Sequence, residues 1–252
     1  HWLHRRQRQM CIRDRSLYTT SNTDELRMVY RDDTSAFDGK KKEALLGKGE
    51  VNNRFNAFIM NYLEERGVET HFIRDLSETE SIVKKLDMLP VECVVRNIAT
   101  GSLCRRLGVE QGIKFDEPLF EFFLKNDDLG DPLINDNHIT AFGWGTEDEI
   151  NFMKQKTKEI NVHLSELFDK NNLILVDYKV EYGRYEEKLL LGDEFTPDGC
   201  RIWDKTTGES LDKDRFRKDL GDVVESYQIV AHKLGIDCLL YTSDAADDVA
   251  SV

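Results

Sequence analysis

The sequence predicts an α+β fold, because short β-like runs come early in the chain and helical spacing dominates later. It has neither an internal repeat nor a regular alternation of strands and helices. Hydrophobic residues make up 40% of the 252 positions, which is enough for a sizeable core. Purely apolar runs stay far shorter than the roughly 20 residues of a membrane-spanning helix. We therefore expect a globular protein with no membrane partner.

Charge and cysteine content narrow the class of function. The net charge of −13 disfavours binding to nucleic acid through bulk electrostatics. The five cysteines include no C-x-x-C pair and are too sparse for a disulfide framework. A reducing, cytoplasmic location is therefore expected.

Two strand pairs are predicted in the first hundred residues. Residues 17–30 are predicted to form two short strands around the turn-forming cluster at residues 21–24. Residues 81–87 and 91–97 are β-like and are predicted to form a hairpin across Leu89-Pro90.

Three longer helices are predicted from caps and from apolar spacing. The first helix begins at Asn52 or Asn53 and ends at Gly67. The second begins with a capping box of Thr146 and Glu149. The third runs from Phe216 to Gly235.

The segment LILVDYKVEY, residues 173–182, is the most informative for function. If it is a strand, one face is apolar and the other presents Asp177, Lys179 and Glu181 at steps of about 6.6 Å. The alternative is the solvated face of a surface strand. The apolar first half of the segment favours a buried strand over a sheet edge.

A second acidic cluster follows at residues 193–198, so Glu181 and Asp193 are expected on the two arms of one hairpin. Carboxylates brought together in this way repel unless a cation lies between them. Two hard oxygen ligands suit Mg²⁺ that is shared with a phosphate group. For Asp198 and Gly199 we favour an ordinary turn, since Pro-Asp-Gly is a turn signal by itself.

Anion-binding groups are expected to complement these acids. Arg96 ends a β-like run, Gly101 and Ser102 open a helix-like segment, and Arg201 follows the acidic cluster. A helix start with a hydroxyl can bind phosphate, although taken alone a simple N-cap is the more common meaning. Two arginines, whose guanidinium groups match phosphate oxygens, favour the phosphate interpretation.

Several long motifs together resemble the SAICAR synthetase family over about residues 17–236. The motifs are DTSAFDG (33–39), GEVNNRFN (49–56), VKKLDMLPVECVVRN (83–97), GSLCRRLG (101–108), PLFEFFLKND (118–127), LILVDYKVEYG (173–183) and LGDEFTPDGCRIWD (191–204). The resemblance implies a carbon–nitrogen ligase of purine biosynthesis. Such an enzyme condenses carboxyaminoimidazole ribonucleotide (CAIR) with L-aspartate and splits ATP to ADP and phosphate with Mg²⁺.

The resemblance also implies roles for individual residues. The residues expected at the nucleotide are Met88, Glu92, Val94, Lys125, Glu181 and Asp193. Met88 and residues 91–94 are expected to form a hinge that holds adenine by backbone groups. The metal ligands implied are Glu181, Asp193 and, more weakly, Asp131. The residues implied at the ribonucleotide are Arg96, Ser102, Arg201, Asp177 and Lys179, of which Asp177 and Lys179 are also the catalytic candidates.

The implied architecture has two lobes, with a smaller N-terminal antiparallel sheet over the nucleotide in a kinase-like manner and a larger α/β lobe. We expect residues 17–97 in the first lobe and 98–236 in the second. The Arg-rich residues 1–16 and the acidic residues 237–252 differ from the rest and are expected to be foreign to the domain. Bacterial relatives suggest a homodimer.

One motif departs from the family pattern. Where the family carries Gly-Lys-Ala-Lys, this sequence reads Ile12-Arg13-Asp14-Arg15. The two arginines keep two positive charges, but the glycine is lost and an acid is added. Weak ATP binding or weak turnover is therefore expected.

Two other functions use the same groups. A small-molecule kinase would need the same carboxylates and phosphate contacts, but it would not need aspartate. A nucleotide-binding relative without activity is the second alternative, and the altered N-terminal motif is its only support.

Overall fold

A computed structural model describes residues 8–12, 14–36 and 41–236. The strands are β1 (Arg8–Ile12), β2 (Arg15–Thr19), β3 (Glu25–Tyr30), β4 (Asp33–Ala36), β5 (Lys41–Ala44), β6 (Phe72–Ser77), β7 (Glu80–Lys84), β8 (Asp87–Ile98), β9 (Lys114–Leu124), β10 (Leu133–Ile134), β11 (Leu173–Tyr185), β12 (Lys188–Gly192) and β13 (Cys200–Asp204). The helices are α1 (Lys48–Glu64), α2 (Gly101–Leu107), α3 (Asp136–Ala141), α4 (Glu147–Lys170), α5 (Asp214–Arg217) and α6 (Val223–Lys233), with a 3-10 turn at Asp127–Leu129. None of the helices in this described part combines the length and apolar character that a bilayer crossing requires.

The N-terminal lobe is a five-stranded antiparallel sheet in the order β1-β2-β3-β7-β6. The hairpin predicted over residues 17–30 is confirmed, with Leu17 opposite Met28. The expected start of this lobe at Leu17 is wrong, because β2 begins at Arg15 and pairs with β1. The tail expected at 237–252 lies outside the described residues.

The larger sheet has the order β10-β9-β8-β11-β12, and β13 pairs with the first half of β11. Its pairings are antiparallel, which agrees with the α+β class. The hairpin predicted across Leu89-Pro90 is wrong, because β7 pairs with β3 and β6 whereas β8 pairs with β9 and β11. Pro90 fits inside β8 because the ladder to β11 is irregular there, so a missing N–H donor is tolerated.

The position of β8 also moves the boundary between the lobes. This strand lies in the middle of the larger sheet, so the boundary expected after Asn97 is wrong. The chain passes from one sheet to the other at residues 85–86, between β7 and β8.

The main core lies between one face of the larger sheet and α4. Tyr178 and Tyr182 project from β11 into it, where the Tyr178 hydroxyl donates to the Thr157 carbonyl and the Tyr182 hydroxyl is 2.8 Å from the Thr157 hydroxyl. The capping box predicted at Thr146 and Glu149 opens α4. The apolar face predicted for β11 is therefore buried under a helix, and the polar face is directed to the other side of the sheet.

Two helix predictions need correction. The first helix begins at Lys48, so Asn52 and Asn53 lie inside α1, where each donates to a distant group instead of capping. The predicted last helix is two helices, α5 and α6, because the left-handed backbone at Asp219 and Asp222 interrupts it.

Candidate active site

Predicted site residues from three strands share one face of the larger sheet. Asp177, Lys179 and Glu181 on β11 lie directly opposite Arg96, Val94 and Glu92 on β8, and Asp177 also lies opposite Arg201 on β13. Residues directly opposite each other in an antiparallel sheet project to the same side. The alternation predicted for β11 is confirmed, and its polar side chains meet residues of β8 and β13 on the same face.

At one end of this face, Lys179 lies between the two acids that the sequence pairs. Its ammonium contacts Glu181, is 3.4 Å from Asp193 Oδ2 and 3.2 Å from Glu92 Oε1. The hairpin prediction is confirmed, since Glu181 lies opposite Gly192 and Asp193 follows β12 directly. The cation between the carboxylates is thus supplied by the strand itself.

These charges stabilise one another. Burial alone would lower the pKa of Lys179, but the carboxylates of Glu181 and Asp193 raise it well above its ordinary value. Burial alone would raise the pKa of Asp193, but the charges of Arg15 and Lys179 hold it well below its ordinary value. At neutral pH both side chains remain charged.

Arg15 holds the other oxygen of Asp193. Its Nη1 is 2.7 Å from Asp193 Oδ1, and its Nη2 is 3.2 Å from Glu194. The Arg15 side chain is only 4% exposed, so it belongs to the interior of the site. Its neighbour Asp14 accepts from the fully buried Lys48 at 3.4 Å. Arg13, the other arginine of the altered motif, lies outside the described residues.

At the opposite end of the face, two guanidinium groups converge on one carboxylate. Asp177 Oδ2 accepts from Arg96 Nη1 at 3.0 Å and from Arg201 Nη1 at 2.8 Å. Arg96 Nη2 donates to the Ser102 hydroxyl at 3.1 Å. The structure therefore brings together Arg96, Ser102 and Arg201, the three residues predicted around a phosphate, and places beside them Asp177, which was predicted to contact the ribonucleotide.

Gly101 makes this convergence possible. Its φ of +58° lies in the left-handed region, and a Cβ at this position would be 2.5 Å from Arg201 Nη2. A side chain here would therefore displace the guanidinium group.

The nucleotide hinge implied by the resemblance is only partly compatible with the structure. Glu92 and Val94 lie within the two ladders that join β8 to β9 and β11, so the sheet competes for the backbone groups that a contact to adenine would use. Met88 lies at the start of β8, before the ladder to β9 begins, and its sulfur lies beside Gly183 and Gly192. A hinge role stays a prediction for Met88.

Two further candidates lie near the acidic end. Lys125 contacts Glu181 with its ammonium group. Asp131 accepts the N–H of Asn126 at 2.8 Å, and its charge contributes to the raised pKa of Glu92, of which burial is the main cause.

The donor set fits Mg²⁺ only in company with phosphate. Across residues 8–12, 14–36 and 41–236, the His, Cys, Asp and Glu side chains form no group of three or more that could hold a metal ion. Glu181 and Asp193, however, share one ammonium group, so their carboxylates face a common cationic position. One or two carboxylates plus phosphate oxygens are the usual ligands of Mg²⁺ beside a nucleotide.

Sequence reasoning missed three charged residues, of which Asp214 and Lys48 are buried and Glu121 is partly buried. Glu121 and Asp214 hold the Nε atoms of Arg96 and Arg201, at 2.6 and 3.0 Å. An acid inside the apolar run FEFF was the available signal for Glu121. The third is Lys48, which is 2.6 Å from Asp198 Oδ2 and carried no local signal.

Comparison with known proteins places the chain in a family. The family model described as SAICAR synthetase matches residues 13–234. The chain belongs to the SAICAR synthetase family. A phosphoribosylaminoimidazole-succinocarboxamide synthase of Alcanivorax borkumensis is 60% identical over 222 residues, which cover 88% of this chain and 93% of that protein.

Solved structures of the family agree with the fold. The phosphoribosylaminoimidazole-succinocarboxamide synthase of Ehrlichia chaffeensis has 38% identity and a TM-score of 0.90, and the match covers 92% of this chain and all of that one. An SAICAR synthetase in complex with ADP has 39% identity and a TM-score of 0.87, with 89% and 96% covered. These relatives confirm the predicted family and the α+β fold.

Proposed function

We propose that this chain joins L-aspartate to CAIR and splits ATP to ADP and phosphate. The names and high identity of its relatives support the reaction, and the ADP complex of one relative supports the nucleotide. The observation that carries the proposal is the division of one sheet face into two charged ends. Asp177 and Glu181 are four residues apart on β11, or about 13 Å, a distance suited to a ribonucleotide between phosphate-binding and carboxylate-activating groups.

The reaction needs an activated carboxylate. A carboxylate is a poor electrophile, so the γ-phosphoryl group of ATP is transferred to an oxygen of the CAIR carboxylate, and ADP leaves. The amine of aspartate then attacks the acyl carbon, the C–O bond to phosphate breaks, and an amide and inorganic phosphate result. The enzyme contributes mainly position and charge neutralisation.

Each end of the sheet face has its task in this scheme. Arg96, Arg201 and Ser102 bind the phosphate of the ribonucleotide, and Asp177 holds the two guanidinium groups in register. Lys179 faces the carboxylate that is activated and offsets its negative charge. Since the pKa of Lys179 is raised, this lysine acts through its charge and not as a base.

Glu181 and Asp193 are the residues that would hold Mg²⁺. When bound, the ion would neutralise charge on the phosphates of ATP. Lys125, which contacts Glu181, is placed to interact with the same phosphates.

The altered N-terminal motif, residues 12–15, is still expected to weaken ATP binding. Arg15 is already paired with Asp193 and Glu194, which supports weaker contact with ATP phosphates than free lysines would make. We expect a raised KM for ATP, measured against a variant in which residues 12–15 read Gly-Lys-Ala-Lys. Equal KM values would contradict this expectation.

A coupled assay of ADP release, with each substrate omitted in turn, tests the function. We expect release to require both CAIR and L-aspartate. Release without aspartate would favour a small-molecule kinase, and ligand-induced thermal shifts without product would indicate an inactive relative. Glu181→Gln and Asp193→Asn should each lower kcat by at least about 100-fold. Glu187→Gln, an exposed acid in the turn between β11 and β12, is the matched control and should leave kcat unchanged.

Cytoplasmic location and a homodimer are part of this proposal. The free, buried thiols of Cys93 and Cys200 support a reducing location. The homodimer rests on the family resemblance, and sedimentation analysis would test it.

A further inference from the structure

A row of alternating charges crosses five elements at the phosphate end of the site. From β9 to α5 the row reads Glu121, Arg96, Asp177, Arg201 and Asp214. Successive members are 2.6, 3.0, 2.8 and 3.0 Å apart. The side chains are 17% exposed or less, so solvent screens these contacts weakly.

The two arginines are held in the same way. Each donates from Nε to an outer carboxylate, Glu121 or Asp214, and from Nη1 to the central Asp177. A guanidinium group is planar, so contacts at two of its nitrogens fix its plane.

The remaining guanidinium nitrogen of each arginine is Nη2, and the two Nη2 groups are directed to the same place. Arg96 Nη2 donates to the Ser102 hydroxyl, and Arg201 Nη2 lies against Gly101. The two Nη2 groups therefore converge on adjacent residues, where both can serve a single anion.

The outer carboxylates are themselves fixed. The second oxygen of Glu121 accepts from Arg106, and the second oxygen of Asp214 accepts from Arg217 at 2.5 Å. Burial alone would raise the pKa of Asp214, but the charge of Arg201 contributes to lowering it to about 2, so the carboxylate stays charged. Neither outer acid is free to turn away from its arginine.

The sum of charges indicates what the outer acids do. Two arginines and three carboxylates give the row itself a net charge of −1, and Arg106 and Arg217 bring the cluster to +1, so each outer acid lowers the attraction to a phosphate dianion. Charge attraction therefore does not explain Glu121 and Asp214. Their effect on orientation does explain them. A guanidinium group that is already held in place loses less conformational entropy when it binds the phosphate.

We propose that Glu121 and Asp214 are positioning residues, which aim Arg96 and Arg201 at the phosphomonoester of the substrate. The proposal deepens the proposed function and rests on it for the identity of the substrate. Glu121 and Asp214 act through the arginines and need not touch the ligand.

Glu121→Gln and Asp214→Asn keep side-chain shape and remove the charge. Each should raise the KM for CAIR at least tenfold and leave kcat and the KM for ATP within twofold. Glu117→Gln, an exposed acid on the same strand as Glu121, is the control and should change none of the three. A KM for CAIR within twofold of wild type, or equal losses in kcat and both KM values, would overturn the proposal.

A second measurement does not depend on turnover. Ribose 5-phosphate, which carries the phosphomonoester without the base, should bind the wild type and bind Glu121→Gln at least tenfold more weakly in calorimetry. If the wild type makes no product but this difference holds, the proposed function fails and the positioning role stands. If the binding is equal, the positioning role fails.

Coupling between residues separates positioning from general structural damage. In an Arg96→Lys background, Glu121→Gln should add less than a twofold further loss, since the guanidinium it positions is gone. A full tenfold further loss would contradict the proposal. Should Glu121→Gln not fold, Glu121→Asp keeps the charge but draws the carboxylate back from Arg96, and its KM for CAIR should rise while its KM for ATP stays unchanged. An unchanged KM for CAIR in that variant would contradict the proposal.

Discussion

Replacement of Gly101 by alanine would disturb the phosphate end of the site without removing any charged group. A Cβ at this position would be 2.5, 2.8 and 2.9 Å from Nη2, Cζ and Nη1 of Arg201. Such distances are far inside van der Waals contact, so the guanidinium group must move. Its hydrogen bonds to Asp177 and Asp214 would be lost or lengthened.

The expected size follows from these contacts. The displaced guanidinium would lose the proposed hydrogen bond to the substrate phosphate. A hydrogen bond to a charged group contributes about 1.5–3 kcal/mol, which corresponds to about 10- to 100-fold in binding. The left-handed φ of +58° adds a cost of about 1–2 kcal/mol to the free energy of folding. We therefore expect Gly101→Ala to raise the KM for CAIR about 10- to 100-fold, with the KM for ATP unchanged.

Gly108→Ala is the matched control for the backbone cost. Gly108 lies at the other end of α2 with a φ of +64°, and a Cβ there would meet no atom within 4 Å. Both variants should lose the backbone cost in urea denaturation, and Gly101→Ala should lose more because it also disturbs the buried contacts of Arg201. Only Gly101→Ala should lose affinity for CAIR in steady-state kinetics. Equal KM values for the two variants would refute the reasoning.

Three further predictions concern stability. Burial lowers the pKa of His71 to about 4, so protonation at acid pH favours the unfolded chain. Between pH 7 and pH 5 the wild type should lose about 2 kcal/mol of unfolding free energy in urea denaturation, and His71→Gln should not. Equal losses in the two proteins would contradict this prediction. Gly183→Ala would place a Cβ 2.6 Å from Leu86 Cβ, and the overpacking should cost about 2 kcal/mol of unfolding free energy; an unchanged melting temperature would contradict it. Thr146→Ala removes the hydroxyl that accepts from the Glu149 N–H at 3.2 Å and should cost about 1 kcal/mol with kcat unchanged, both measured on the same preparation.

Elements with signals close together in the chain were predictable. Three examples are the β2–β3 turn, the capping box at Thr146 and the alternation along β11. In each of them the sequence signal lies within a few residues of the structure that it predicts. The same alternation places Asp177, Lys179 and Glu181 on one face, so the centre of the candidate site followed from one strand.

The partner of a strand was less predictable. The hairpin across Leu89-Pro90 assumed that neighbouring strands pair, as they commonly do. β8 instead pairs with β11, which lies about 80 residues further along the chain, and Pro90 occupies an irregular point of that ladder. No signal within residues 81–97 distinguishes the two pairings.

Buried polar contacts between distant segments were also missed. The turn predicted at Asp198 and Gly199 is present in the backbone, where the Gly199 N–H donates to the Thr196 carbonyl at 3.0 Å. The Asp198 side chain, however, is buried and accepts from Asn52 and Tyr227, at 2.7 and 2.9 Å. A turn signal describes the backbone and carries no information about such partners.

The close approach of Glu181 and Asp193 that the sequence predicts is present, and the magnesium ion predicted between them stays a prediction. In this structure Lys179 supplies the positive charge beside Glu181. The sequence already places this lysine between two acids on the same strand face. A lysine side chain reaches a neighbour two residues away on that face as easily as a metal ion would.

The alternation of β11 ties folding to activity. Its core side chains, Tyr178, Val180 and Tyr182, are interleaved with Asp177, Lys179 and Glu181. A slip of the strand by one residue would bury three charges and expose three apolar groups, which the fold could not survive. Any variant that still unfolds cooperatively therefore keeps these three charged side chains in register. If such a variant loses turnover, the cause is therefore a change in the site's chemistry and not a shifted strand.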